Sequence, residues 1–253
     1  MNLKNPLGSN YTQKYITLVG FLILWSMISL FYSSVILPSP LTVSKAFVRI
    51  ITAESFMQNM GLTLFRGISG YLSGMFLGIF LGVIMGKSPI IYNYIYPVIS
   101  TLQAIPRISW ILLAMVWFPL DSSIVIFIIL ITILPTITLN VLEGMTTVSK
   151  ELLEMGRIFK VGSGSLLRDI YLPSITPFIL SAAKISSGIT WKSILMAELL
   201  TVNSGIGYEM AYSRAALATD EIIAYTLIIL IIAHIHQRIL KQIPVTPRDK
   251  GTF

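Results

Sequence analysis

Long stretches of this chain carry no charge at all. No Asp, Glu, Lys or Arg occurs from Tyr15 to Ser44, from Ser88 to Pro106 or from Ser122 to Leu142. About 20 apolar residues suffice for a helix to cross a bilayer. In lipid every backbone amide must be satisfied within the protein, so such runs fold as helices. The rest of the composition agrees. Charged residues make up 11% of the 253 and hydrophobic ones 55%, against roughly 25% charged in an ordinary soluble domain. Mean hydropathy is +0.80. A polar shell this thin excludes a soluble enzyme, a disordered chain and a nucleic-acid-binding protein, despite a net charge of +7. The expected fold is an all-α integral membrane protein.

The chain has no cysteine, which excludes disulfides, thiolate catalysis and Cys-based metal sites. Two histidines, His234 and His236, are too few for a metal centre, and no metal or cofactor is expected in this chain. The first apolar segment is too long for a signal-peptide core and lacks a small-residue cleavage site.

Six spans are predicted. The first runs from Tyr15 to Leu37 and stops at Leu37-Pro38-Ser39-Pro40, since a helix interior does not accommodate two prolines. The second covers Leu62–Gly86, with Arg66 near enough to its start to snorkel to the interface. The third, over 90–118, is interrupted by prolines. The fourth is Ser122–Leu142, the fifth Pro173–Leu200 and the sixth Ile222–Ile235.

Charge placement decides how the third is counted. Lys4 and Lys14 precede the first span. Lys150, Arg157, Lys160 and Arg168 follow the fourth, and Arg238, Lys241, Arg248 and Lys250 follow the sixth. If all three clusters are cytoplasmic, even numbers of spans separate them, so 90–118 is one long, broken span. Both termini are then cytoplasmic, Lys87 joins the inner set, and Lys45, Arg49 and Arg214 lie outside. The whole chain, 1–253, reads as one transmembrane domain, with a core over about 61–235 and a cytoplasmic loop over about 146–172.

Two spans carry patterns. In the second, Gly70, Gly74, Gly78, Gly82 and Gly86 recur every four residues, with Gly67 one turn before them. Such a stripe lets a neighbouring helix approach closely. It serves either as a static helix contact or as a sliding seam in a transporter core. In the fifth, Lys184, Ser187, Trp191, Leu195 and Glu198 share a face, and Lys192 lies about 80° from Lys184. A charge at mid-membrane costs about 2.5–3.5 kcal/mol or more, so both lysines should face protein or water. The stripe either lines a translocation path, where its lysines favour anions, or pairs helices.

The loop after the fourth span reads as two short helices. Ser149 caps the first, and Glu151 and Glu154 suit its positive end. Leu152, Met155, Gly156 and Phe159 form an apolar face. Gly162-Ser163-Gly164 breaks the helix, and Ser165–Leu172 forms a second one ending at Pro173. The pair makes a compact knob.

At this loop the chain resembles the inner-membrane permease subunits of binding-protein-dependent ABC transporters. Their signature is Glu-Ala-Ala, three residues, Gly, nine residues, then Ile-x-Leu-Pro. Here Glu154-Met155-Gly156, Lys160 and Ile170-x-Leu172-Pro173 stand at matching spacing. Met155 and Gly156 replace the alanines, and Lys160 takes the usual glycine. Further motifs resemble the nitrate/sulfonate/taurine (bicarbonate) type. These are Leu37-Pro38-Ser39-Pro40, Thr63-Leu64-x-Arg66-x-x-x-Gly70, Ile105-Pro106-Arg107, Trp117-Phe118-Pro119, Ala197-Glu198-Leu199 with Trp191, and Gly205-Ile206-Gly207-Tyr208. The last span departs from that type, reading Ile-Ile-Ala-His-Ile-His over 231–236 where relatives commonly have Gly-x-x-x-Asp.

The resemblance implies a type I importer permease of the bacterial cytoplasmic membrane. It implies a second permease copy, two cytoplasmic ATPase subunits and a periplasmic or lipid-anchored solute-binding protein. Glu151, Glu154, Met155, Gly156, Arg157, Lys160, Gly162 and Pro173 would form the ATPase-coupling segment. Arg107, Lys184, Ser187, Trp191, Lys192 and Glu198 are the candidate path residues. No Gly-x-x-x-x-Gly-Lys-[Ser/Thr] loop occurs, so ATP and Mg would be bound by the partner and this chain would not be an enzyme. The expected cargo is a small anion such as a sulfonate, nitrate or bicarbonate, with a thiamine or pyrimidine precursor as the alternative. A competing mechanism is a gradient-driven carrier or channel with Lys184, Lys192 and Glu198 as its relay. An intramembrane enzyme finds no nucleophile–base pair or metal cluster at membrane depth.

Overall fold

A computed structural model describes residues 9–243, without the side chains of residues 9–12, Lys14, Lys150 and Arg157. Both termini, with Lys4, Arg248 and Lys250, lie outside the described residues. Among those described, the structure is helical throughout. In order the helices are α1 (Ser9–Ser29), α2 (Pro40–Ile51), α3 (Glu54–Lys87), α4 (Pro89–Ala104), α5 (Arg107–Trp117) and α6 (Ser122–Thr146). Then come α7 (Lys150–Ile158), α8 (Ser163–Leu166), a π turn (Leu167–Tyr171), α9 (Leu172–Thr201), α10 (Ile206–Ala215) and α11 (Thr219–Gln242). Contacts divide the chain into two units: residues up to Met57 with Glu209–Ile228, and Gln58–Tyr208 with the residues from Ile229 onward.

By length and composition, α3, α6 and α11 can each cross a membrane, and the bent pair α4–α5 adds a fourth if it is one span. The other two expected spans correspond to α1, apolar over Tyr15–Ser29, and to α9. Thirty residues make α9 about 45 Å long, with Lys184, Lys192 and Glu198 spaced along it.

In the first unit, Leu37-Pro38-Ser39-Pro40 begins α2 but does not end the first expected span, because α1 already stops at Ser29 and residues 30–37 form turns. Trp25 donates its indole N–H to the Pro38 carbonyl at 3.1 Å, and the Ser39 hydroxyl accepts from the Thr42 amide at 3.2 Å. Pro40 fits the first turn of α2, where no amide is needed. The unit also holds an exposed ion pair, Arg49 to Glu221 at 2.7 Å. The second Glu221 oxygen accepts from the Ser213 hydroxyl at 2.7 Å.

The core of the second unit is α6. Ile124, Val125, Ile128, Ile129, Ile133, Ile137 and Val141 are all buried, as expected of a helix that is apolar all round. The glycine stripe of α3 lies along it. A Cβ built on Gly70, Gly74, Gly78, Gly82 or Gly86 would overlap Ile129, Ile133, Ile137, Val141 or Met145 in turn, so a row of five glycines spaced every four residues receives a row of five large side chains at the same spacing. On its other side α6 packs along α9.

The third expected span breaks at one of its prolines, Pro106, whereas α4 runs on through Pro97. The α4 and α5 axes meet at 102°, with Ile105 (ψ 127°) and Pro106 (ψ 138°) extended between them. A proline disfavours helical backbone in the residue before it. Beyond α5, Phe118 lies 4.7 Å from Phe127 between ring centroids, anchoring Trp117-Phe118-Pro119 to α6. Asp121 caps α6 by accepting from the Ser123 amide at 2.8 Å and the Ser123 hydroxyl at 2.5 Å. Those bonds hold its carboxyl below the usual range.

The knob differs from expectation in its second half. Ser165–Leu172 is not a separate helix ending at Pro173. Instead α8 passes through the π turn directly into α9, with Pro173 in the first turn of α9. Proline has no N–H for an i→i−4 bond and its ring crowds that carbonyl. The ladder slips by one residue, and the Leu172 amide bonds the Leu167 carbonyl.

Candidate functional site

The loop between α6 and α9 presents an apolar face. The Ser149 hydroxyl donates to Glu151 at 2.6 Å and accepts from the Leu152 amide at 3.2 Å, starting α7 as its spacing predicts. Leu152, Met155, Ile158 and Phe159 are between 46% and 75% exposed, with Glu151 and Glu154 exposed beside them. Gly156 belongs to the other face. It is buried, with Leu166 occupying the space a Cβ would take, and this contact folds α8 back onto α7. The Arg157 side chain lies outside the described residues.

At the end of α7, Lys160 has φ +50° and the Val161 amide reaches back to the Gly156 carbonyl at 2.8 Å. That bond pattern closes a helix with a left-handed residue, the position glycine normally fills. Lys160 holds the backbone conformation for which the signature's glycine is suited. Gly162 then caps α8. Lys87, at the end of α3, places its ammonium 5.2 Å from the Tyr171 ring centre, tying the π turn to α3.

At the far end of α9 three of the separate motifs meet. Arg66 is not at an interface: its side chain is 3% exposed and contacts Glu198, 0% exposed, at 2.8 Å. It also donates to the Ser122 hydroxyl at 3.0 Å and to the Ser204 carbonyl and hydroxyl at 2.8 Å each. Glu198 further accepts from Thr63 Oγ1 at 2.9 Å and the Gly207 amide at 2.9 Å. Thr63 accepts in turn from the Ile206 amide at 2.9 Å. Gly205 has φ +100°, and a Cβ there would fall on the Glu198 carboxylate. This carboxylate, not a ligand, is what the loop over 205–207 wraps.

Two turns earlier, Ser187 and Trp191 serve a different partner. The Trp191 indole N–H donates to His236 Nδ1 at 3.0 Å, and the Ser187 hydroxyl lies 2.8 Å from the same nitrogen. Tyr71 packs edge-on against the His236 ring with centroids 4.8 Å apart, and donates to the Ala183 carbonyl at 3.0 Å. Because Nδ1 accepts from indole, the ring proton sits on Nε2. Two histidines two residues apart in an apolar run share no helical face, so His236 was not among the sequence candidates.

The candidate path residues therefore do not converge on one spot. Glu198 joins the Arg66 network, Ser187 and Trp191 join His236, Lys184 is half-buried and Lys192 is exposed. Neither lysine has an acidic partner among the described residues. Arg107 alone of the six lines the cavity of about 170 Å³ at the α4–α5 break, with Gln103, Trp110, Thr132, Thr136 and Ile189.

A family model described as "Binding-protein-dependent transport system inner membrane component" matches residues 74–240. The aliphatic sulfonates transport permease SsuC of Escherichia coli is 31% identical over 207 residues, 81% of this chain and 79% of that protein. The nitrate import permease NrtB of Synechococcus elongatus is 27% identical, covering 81% and 77%. The taurine transport permease TauC of Escherichia coli is 25% identical, covering 90% and 86%. Two solved structures share the helical fold. One is a bacterial alginate ABC transporter in complex with its alginate-loaded periplasmic protein, with TM-score 0.64, 14% identity and coverage of 93% and 96%. The other is the inward-facing MetNI methionine ABC transporter, with TM-score 0.59, 16% identity and coverage of 76% and 96%.

Proposed function

The chain belongs to the family of binding-protein-dependent transport inner-membrane components, and from that premise we propose that it forms the path of an ABC importer for a small oxyanion. In this reading six spans put both termini and the α7–α8 knob in the cytoplasm. Two copies pair with two ATPase subunits, which bind ATP and Mg, and a solute-binding protein delivers the cargo. The anion class is supported by similarity to permeases for nitrate, aliphatic sulfonates and taurine.

The observation that carries the coupling role is the unpartnered apolar face of α7, Leu152, Met155, Ile158 and Phe159. A face of that kind, rimmed by carboxylates, suits a groove on a partner. The helical path from Ser163 through Thr201 is continuous. A push on the knob thus moves α9, and the Lys87–Tyr171 contact passes it to α3. Buried burdens on α9, the Arg66–Glu198 pair and the His236 bonds, lie on the same rod.

The test is Glu154→Lys in the complete complex in proteoliposomes. Uptake and ATPase association should each fall at least about tenfold while the permease stays in the membrane, as expected when a rim carboxylate is reversed. Full transport with this variant would count against ATPase coupling at α7. Uptake by the permease alone without ATP would favour the gradient-driven carrier instead.

A further inference from the structure

The cavity at the α4–α5 break has an unusual balance of hydrogen-bonding groups. Arg107, an exposed residue like Gln103, opens α5 there and lines the cavity, and among the described residues its guanidinium has neither an ion pair nor a hydrogen bond. Trp110 is only 8% exposed, lines the same cavity, and its indole N–H has no acceptor among the described residues, which leaves it free to donate to a ligand there. Gln103 and Thr136 also line the cavity with unengaged side chains. Thr132 differs, since its hydroxyl donates to the Ile128 carbonyl at 2.6 Å. No described Asp or Glu lines the cavity, and the one acid among the candidate path residues, Glu198, is already bound to Arg66. Pro106, the residue capping α5, offers its first turn no side-chain acceptor, so the positive end of that helix adds to the field.

We propose that this cavity is a transient subsite for a small oxyanion, bound by the Arg107 guanidinium with Trp110, Gln103 and Thr136 as further donors. The proposal rests on the importer reading above and names where in the permease its cargo is held. The guanidinium fork matches two oxygens of a planar or tetrahedral anion and stays charged at any working pH. Donors converge there without a carboxylate to compete, and the low-dielectric walls strengthen the attraction. A volume of about 170 Å³ is well below the roughly 300–1,000 Å³ of sites for drug-sized ligands. It admits a nitrate, a bicarbonate or a sulfonate head with a few waters, at about 30 Å³ per water. The break in the helix gives the site a reason to be transient, because the two half-helices can rotate about Ile105 and Pro106.

The absence of cysteine allows a direct test. Thr136→Cys and Gln103→Cys each give the permease one thiol, in the complete complex held in nanodiscs. Each variant is treated with an anionic (sulfonatoethyl) or a cationic (trimethylammonioethyl) methanethiosulfonate. Labelling is read from the mass of the permease chain, and each rate is divided by that of the reagent with a free thiol in solution. The anionic reagent should be favoured about tenfold or more, the lower range of field focusing in a charged cleft. Arg107→Gln should abolish the preference, and millimolar nitrate or methanesulfonate should slow labelling. Equal rates, a cationic preference, a preference that survives Arg107→Gln, or failure of both thiols to react would overturn the site. Loss of the anionic preference with normal ATP-driven uptake removes the subsite and leaves the importer standing. The preference should persist in Glu154→Lys, so a failure of coupling is read separately.

Discussion

Removing Arg66 would leave Glu198 as a buried carboxylate with two donors, Thr63 Oγ1 and the Gly207 amide, and no counter-charge. It would also strip the Ser204 carbonyl of its donor. Breaking a buried pair from one side costs about 3–5 kcal/mol, and with the two side chains 3% and 0% exposed solvent screening gives little relief. Glu198→Leu should cost about the same, since it leaves the guanidinium buried and unpaired. The double variant Arg66→Met/Glu198→Leu removes both charges together. Its remaining cost is the unpaired Gly207 amide and Ser204 carbonyl, about 1–3 kcal/mol for each stranded group, whereas the Thr63 hydroxyl, also freed, can turn to the backbone carbonyl one turn back in α3. With both singles near the middle of their range and the double near the middle of its own, the coupling energy is about 4 kcal/mol. That is close to a thousandfold in the folding equilibrium at 1.4 kcal/mol per decade. The assay is equilibrium SDS titration of the purified permease in mixed micelles, followed by circular dichroism, for the parent, both singles and the double. Additive singles, or singles costing under about 1 kcal/mol, would refute the reasoning, because the pair would then behave as a solvated surface bridge.

Two further pairs of substitutions separate close packing and backbone conformation from propensity. Gly82→Ala would set a methyl 2.7 Å from Val141 Cβ and 2.8 Å from the Thr138 carbonyl, both fixed to the α6 backbone. It should cost about 1–3 kcal/mol in the same titration, whereas Gly61→Ala, with nothing within 4 Å, should be neutral or gain up to about 1 kcal/mol. Lys160→Val, a branched residue at φ +50°, should lose about 1–2 kcal/mol of local stability and weaken ATPase binding. Lys160→Gly should bind at least as well as the parent in the same pull-down.

Much of the helical organisation was legible because the signal is local. Uncharged runs marked α1, α6 and most of α3, and Ile105-Pro106 marked the break. Ser149 marked the start of α7. Errors arose where one residue type has two positional meanings. Pro40 and Pro173 read as helix stops, yet both occupy first turns, so α2 was missed and α8 was separated from α9. The polar residues Glu54, Gln58 and Asn59 kept the start of α3 out of the second span. At the sites the limit was pairing. Arg66 read as a snorkelling residue because nothing near it in sequence is acidic, and its partner lies 132 residues away. Glu198 read as one of a polar stripe on α9, while the stripe supplies two unrelated networks. Trp110 and His236 carried no pattern to mark them.

What the sequence determined by itself was the solvent and most of the helices. Transfer free energy and helix capping depend on residue type and on neighbours within a turn or two. It also marked the glycine row of α3 as a close-approach surface. Only the tertiary structure decided which rows face each other: Gly70 to Gly86 against Ile129 to Met145, Arg66 against Glu198, and Arg107 left unpaired beside Trp110 at the bend. The physical reason is that such contacts depend on the register and angle between distant helices. Those are set by the fit of whole faces rather than by any one segment.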